Sequence, residues 1–285
     1  GEAFRRADGY LPASVLEARC AIALRDRDRL MRATIAILNT TEQAPSMAYR
    51  TLVQLKAEDR QTDADMVNAL KHLRLIEPEQ AQWAEMLGKV RFSRGGMDLL
   101  DAMFQSESAI ALGSTNIAPF HVSAEVARLI GRPDRAVAML QQAMERDPGN
   151  PVTLNNLVYT LASEPATLTN ALALLPDLQR VAADTPARPE LMETLCFVLL
   201  QAGRLDEARR VLGRLEPAIG TNSPVWFQCQ THRADLLLRD GNPEAAIQIL
   251  RPLLRNARGA GEEGIGRANR LLFQAREAAF SGSNG

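Results

Sequence analysis

A phrase anchored on glycine recurs along the chain, and nothing else in the sequence restricts the fold as much. Gly131 is followed by Ala136, Leu140, Ala143 and Pro148, at offsets of five, nine, twelve and seventeen residues. Gly203 is followed by Ala208, Leu212 and Leu215 at the first three of those offsets, and Gly241 by Ala246, Leu250 and Leu253. Between them lies a unit degraded at its turn, with Ala166 in the glycine position, then Ala171 and Leu175. The anchors stand 35, 37 and 38 residues apart. Self-similarity at such a period marks a repeat architecture, in which each unit buries its apolar face against the next.

Each offset has a physical reason. The glycine ends one helix, where a left-handed backbone position costs least without a side chain. The alanine five residues on begins the close crossing of a second helix against the first, where a larger side chain would force the pair apart. The leucines at nine and twelve lie on that same helical face. Proline at seventeen stops the second helix. "GNPEAA" spells the start of such a helix, with Asn242 as N-cap, Pro243 at the first helical position and Glu244 in the first turn.

This pattern resembles the tetratricopeptide repeat, a helix–turn–helix family, from about residue 117 to 256. "PVTLNNLVYTLA" (151–162) is similar to that family's first helix, with Leu154, Leu157, Val158 and Leu161 at its packing positions. Three features depart from the family: its early tryptophan is replaced throughout, Cys196 stands where glycine or alanine is usual, and "SEPATLTN" inserts into the second unit. The resemblance implies an all-α fold, a right-handed α-solenoid of antiparallel helix pairs closed by a C-terminal capping helix. The clean pairs should turn near Gly131, Ala166, Gly203 and Gly241.

Residues 1–116 are also helical in pattern but lack the clean anchors. "SVLEARCAIAL", "RLMRATIAIL", "MAYRTLVQLKAE", "DADMVNALKHLRLI", "EQAQWAEMLGKVRF" and "MDLLDAMFQS" each place apolar residues three and four apart, punctuated by Pro12, Pro45, Pro78 and Gly95–Gly96. They predict six helices, three further pairs of a divergent helical-repeat region. "RANRLLFQAREAAF" sets Ala268, Leu271, Leu272, Ala275 and Ala279 on one side, as a capping helix within 257–280 would, and 281–285 read as a disordered tail. The whole predicts fourteen or fifteen helices and no sheet.

Composition excludes several classes of function. The net charge of −1 gives no basic track for nucleic acid and no field toward anionic lipid. No apolar run reaches the length of a membrane span. Gly1 ahead of an already helical "EAFRRA" reads as a cloning remnant, so a leader or an upstream domain would have preceded it, and the compartment stays open between cytoplasm and periplasm. Cys20, Cys196 and Cys229 are scattered and odd in number; they fit neither a disulfide scaffold nor a zinc site and read as small core residues. "GAGEEG" (259–264) matches G-x-G-x-x-G, but it follows a helix, and Glu262 and Glu263 would repel a pyrophosphate. A flexible link between helices is the better reading. His121 and Glu125, four apart, could supply two metal ligands, but nothing points to a third. Trp83 and Trp226 fit core packing. No nucleophile, acid–base pair or cofactor motif emerges, so the chain is expected to be no enzyme and to need no cofactor or metal.

The remaining candidate is the wall formed by the first helix of each pair. The resemblance implies that these helices line a concave groove. Carried over by register, the groove positions are His121 and Glu125, then Asn155, Asn156 and Tyr159, then Glu193, Thr194, Phe197 and Gln201, then His232, Asp235 and Arg239. Asn156 falls where such grooves often use asparagine on a peptide backbone, work an amide suits because it both donates and accepts. The opposing reading, an asparagine that only bonds a neighbouring helix, stands beside it. The basic residues of a carboxylate clamp are not matched, since Glu190 and Thr194 occupy those places. The resemblance therefore implies a scaffold for a protein or peptide partner, without nucleic acid, membrane insertion or metal. The alternative is a non-catalytic helical segment that positions substrate in a larger bacterial enzyme or serves an envelope export assembly.

Overall fold

The computed structural model describes residues 11–40, 44–185, 188–221, 223–257 and 260–282. Among them there are sixteen α-helices and no strand. The chain divides into two compact units, 1–143 and 144–285. The first contains α1 (Leu11–Leu24), α2 (Arg27–Thr40), α3 (Ser46–Glu58), α4 (Ala64–Ile76), α5 (Ala81–Arg94), α6 (Asp98–Ala111) and α7 (Ala118–Leu129). The division falls inside α8 (Pro133–Arg146). The second unit contains α9 (Pro151–Ser163), α10 (Leu168–Ala173), α11 (Leu175–Asp184), α12 (Pro189–Gln201) and α13 (Leu205–Leu215). It continues with α14 (Pro224–Arg239), α15 (Pro243–Arg255) and α16 (Glu262–Gly282). Each unit is a stack of antiparallel helix pairs, the α-solenoid arrangement that the repeat predicts.

The turns form as the glycine anchors predict. Gly131, Gly203 and Gly241 have φ of 72°, 71° and 75°. In each, the next N–H bonds the carbonyl five residues back: Arg132 to Ala127 at 2.8 Å, Arg204 to Leu199 and Asn242 to Leu237 at 2.9 Å. This is the Schellman ending, which satisfies carbonyls that a helix leaves open. Cap residues followed by proline start α9, α14 and α15 of the second unit. The Asn150 side chain accepts from the Val152 and Thr153 N–H groups at 3.0 and 3.1 Å, and Asn242 accepts from Ala245 at 3.2 Å. The crossing alanines Ala136, Ala208 and Ala246 are fully buried, and so is Ala171 of the degraded unit.

Among the described residues, six helices, α1 to α6, occupy the first 116 positions. Two of their turns use the same geometry with arginine in place of glycine. Arg25 and Arg60 both sit at φ 55°, and the Asp26 and Gln61 N–H groups reach back five residues to Ala21 and Lys56. One core of this unit gathers Tyr49, Leu52, Leu70, Leu73, Trp83 and Leu87 from α3, α4 and α5. Trp83 is thus a core residue, with its indole N–H donated to Glu77 at 2.8 Å.

Three expectations are revised. There are sixteen helices among the described residues because the second helix of the degraded unit is broken, into α10 and α11. Ala166 lies in a single 3-10 turn, Pro165–Thr167, and Pro176 opens α11 at a position where a proline lacks the N–H that a continuous helix needs. The capping helix α16 starts and ends later than the 257–280 read from sequence. It begins at Glu262, so Glu262, Glu263 and Gly264 of "GAGEEG" are its first turn, where carboxylates suit the helix dipole. It also extends through Ser281 and Gly282 of the expected tail, while 283–285 and the leading "EAFRRA" lie outside the described residues. Ala268, Leu271, Leu272 and Ala275 of α16 are buried against Phe227, Ala234, Ala246 and Leu250. Each such leucine contributes roughly 1.5–3 kcal/mol by leaving water.

Candidate functional site

In the second unit the first helices pack side by side in the order α9, α12, α14, and α16 follows α14 in the position of a further first helix. Residues spaced on their common face therefore meet across helices. Tyr159 of α9 and Phe197 of α12 have ring centroids 4.9 Å apart, and Phe197 lies 6.2 Å from the His232 ring of α14 at an interplanar angle of 25°. Below this row, His232 donates Nε2–H to Glu193 Oε1 at 2.7 Å, the tautomer that an accepting carboxylate requires. The Asp235 carboxylate takes Arg239 Nε at 2.7 Å on one oxygen and Arg267 at 3.2 Å on the other.

Arg267 was not among the residues expected here, nor was Glu263. Both come from α16. The Arg267 guanidinium lies 4.6 Å over the Phe197 ring, and Tyr159 donates its hydroxyl to Glu263 at 3.0 Å, across 104 residues of sequence. Glu263 and Arg267 are four apart and so share a helix face, which sequence alone makes readable. What that face meets is not readable from sequence.

The expected groove residues are thus placed unequally. Tyr159, Glu193, Phe197, His232, Asp235 and Arg239 form one contact network, and Asn155 and Asn156 are half-buried on α9 beside it. Thr194, Phe197, His232 and Asp235 are themselves buried, from 0 to 6% exposed, so they stiffen this face more than they project from it. Asn155 Oδ1 and His232 Nδ1 are buried acceptors with no hydrogen-bond partner. Such atoms are costly to leave unpaired. His121 and Glu125 lie on α7 in the other unit, where Glu125 is engaged by Arg128 at 2.6 Å. Among the described residues no group of three or more His, Cys, Asp or Glu could hold a metal ion.

The electrostatics follow from burial. Desolvation first, and then the nearby Arg267 charge, hold the His232 pKa below its ordinary 6.5, although Glu193 and Asp235 pull the other way. His121 is lowered by burial alone. Burial, reinforced by Glu193, raises the Cys196 thiol well above its usual range and pushes Cys229 up to about 12, so neither is a ready nucleophile. A testable consequence concerns His232. The native state resists protonating this ring while the unfolded chain takes a proton near pH 6.5. Stability should therefore fall as pH drops below about 6.5. In urea titrations from pH 7.5 to 5.5, His232→Gln should flatten part of that decline, with His121 accounting for a remainder. An unchanged pH slope in His232→Gln would contradict a neutral, buried His232.

The sequence profile of the tetratricopeptide repeat family matches residues 16–259. None of the curated proteins searched matches the chain in sequence. Among solved structures, a tetratricopeptide repeat protein from Parabacteroides merdae is similar at a TM-score of 0.61 and 9% identity, over 93% of this chain and 98% of that one. The MamA protein is similar at 0.52 and 16% identity, over 61% of this chain and 91% of its own. YrrB, described as a TPR protein with an unusual peptide-binding site, is similar at 0.50 and 17% identity, over 76% and 99%. At these identities the likeness concerns the fold. Among the described residues no helix is long and apolar enough to cross a membrane.

Proposed function

We propose, from the premise that this chain belongs to the tetratricopeptide repeat family, that it is a scaffold whose second unit binds a peptide or protein segment along its row of first helices. Family membership supports a protein-interaction role in general. The finer reading rests on one observation, the lateral row Tyr159–Phe197–His232 contributed by three successive first helices. Repeats that place aromatic and polar side chains at equivalent positions create a continuous surface longer than any single helix could offer. The half-buried Asn155 and Asn156 border that row. Amides in that position suit an extended backbone, which offers N–H and C=O groups alternately. YrrB's peptide-binding site supports the same kind of role by analogy of fold alone.

The test uses Asn156→Ala together with Tyr159→Ala, because both side chains are half-exposed and their truncation should spare the core. Each lost hydrogen bond typically removes about 0.5–1.5 kcal/mol of affinity. The double variant should lose most of the partner that the parent chain captures from its source lysate, provided circular dichroism shows both equally helical. Equal capture by the two proteins would move the binding surface elsewhere.

A further inference from the structure

We infer that the inner face of the second unit carries an arginine-binding slot, which the chain fills in cis with Arg267 and which an arginine-bearing peptide would fill in trans. The inference deepens the scaffold reading and rests on it. The floor of the slot is the Phe197 ring, 4.6 Å beneath the guanidinium, and its wall is the Asp235 carboxylate at 3.2 Å. A planar cation that stacks on an aromatic face and donates sideways to a carboxylate satisfies both at once, and arginine is the side chain shaped for that. Both slot residues are nearly inaccessible, Phe197 at 6% and Asp235 at 5%, while the Arg267 side chain that covers them is 19% exposed. Asp235 is also anchored by Arg239 at 2.7 Å, which keeps the wall in place when Arg267 is removed.

Position supports occupancy by a segment rather than by an isolated side chain. One turn before Arg267, the same face of α16 carries Glu263 to the Tyr159 hydroxyl, so two neighbouring members of the aromatic row, Tyr159 and Phe197, are both met by it. The approach is close. A Cβ at Gly264 would stand 3.3 Å from Gln228 Nε2 and 3.7 Å from the Phe227 ring. The first turn of α16 is therefore the occupant that shows what this face recognises: a helical segment with a carboxylate and, four residues later, an arginine.

The experiment uses the full chain with Leu272→Asp and Arg267→Ala combined. Aspartate in place of the buried Leu272 drives α16 off Phe227, Ala246 and Leu250, and alanine empties the slot. The probe is a fluorescein-labelled peptide of residues 260–275, read by anisotropy. The double variant should bind it at least about tenfold more tightly than the parent, whose slot is filled. A peptide with Arg267→Ala, or a protein with Phe197→Leu added, should each lose about tenfold. Equal binding of the two peptides, or no binding by a folded double variant, would overturn the slot. The scaffold reading is judged separately by the lysate capture. Partner capture without peptide binding rejects only the slot, and peptide binding without capture rejects only the scaffold reading.

Discussion

Ala208→Leu should destabilise the second unit by about 1–3 kcal/mol, the usual cost of forcing extra methylenes into a packed site. Ala208 is fully buried, five residues after Gly203, where α13 crosses α12. The Cys196 thiol of α12 lies 3.7 Å from the Ala208 carbonyl oxygen, so the two helices meet there through their smallest available groups. Leucine and alanine have similar helix propensities, so the loss would come from packing and not from the helix itself. The expected mechanism is separation of α12 from α13, which would also disturb Phe197, the residue next to Cys196 on α12. Repeat arrays can unfold in steps, so the measurement is a urea titration followed by both circular dichroism and Trp226 fluorescence. The control is Arg210→Leu, an exposed position on the same helix, expected to stay within about 0.5 kcal/mol of the parent. If Ala208→Leu unfolds together with Arg210→Leu and the parent, the crossing is not where the repeat register puts it.

That register is why much of the second unit could be read in advance. A glycine that ends a helix and an alanine that begins a crossing are chemical necessities with few substitutes, so they leave marks in the sequence. The first helices then follow by spacing, and the groove register that the family resemblance implies, laid on them, picks out Tyr159, Glu193, Phe197, His232 and Asp235. Two of the N-terminal turns were opaque for an equally physical reason. Arg25 and Arg60 occupy the left-handed position that glycine holds elsewhere, at φ 55°. A side chain there costs roughly 1–2 kcal/mol, but the Schellman hydrogen bonds still form around it. The turn survives while its signature residue is gone. The broken helix at α10 and α11 was half legible, as an insertion whose consequence could not be drawn. The role of Glu263 and Arg267 was not legible at all, because a contact across 104 residues depends on how four helices curve and not on any local pattern. Burial was likewise hidden. A position that faces the inner wall in register, such as Thr194 or His232, can still be sealed by its neighbours.

The first unit has its own tight crossing, and there Gly88→Ala should destabilise although helix propensity favours it. Alanine in a helix interior is better than glycine by about 0.8–1.0 kcal/mol. Gly88 of α5, however, faces α6 at a contact made by Ala102, Ser106 and Ala109, all of them small and buried. A Cβ built on Gly88 would lie 2.7 Å from Ser106 Oγ, and 3.2 Å from both the Ala102 carbonyl oxygen and the Ser106 nitrogen. The hydroxyl can rotate away, but the two backbone atoms move only if the helices part. Overpacking of this kind costs about 1–3 kcal/mol, enough to outweigh the propensity gain and leave a net loss of up to about 2 kcal/mol. Gly213 of α13 provides the matched comparison, because a Cβ there has no heavy atom within 4 Å. Gly213→Ala should therefore stabilise by the full propensity difference, about 0.8–1.0 kcal/mol. The same chemical change is thus expected to have opposite signs at two helical glycines, in urea titrations of the full chain read against the parent. Stabilisation by both would mean that α5 and α6 can separate freely at Gly88. Destabilisation by both would mean that something packs against α13 where the structure shows open space.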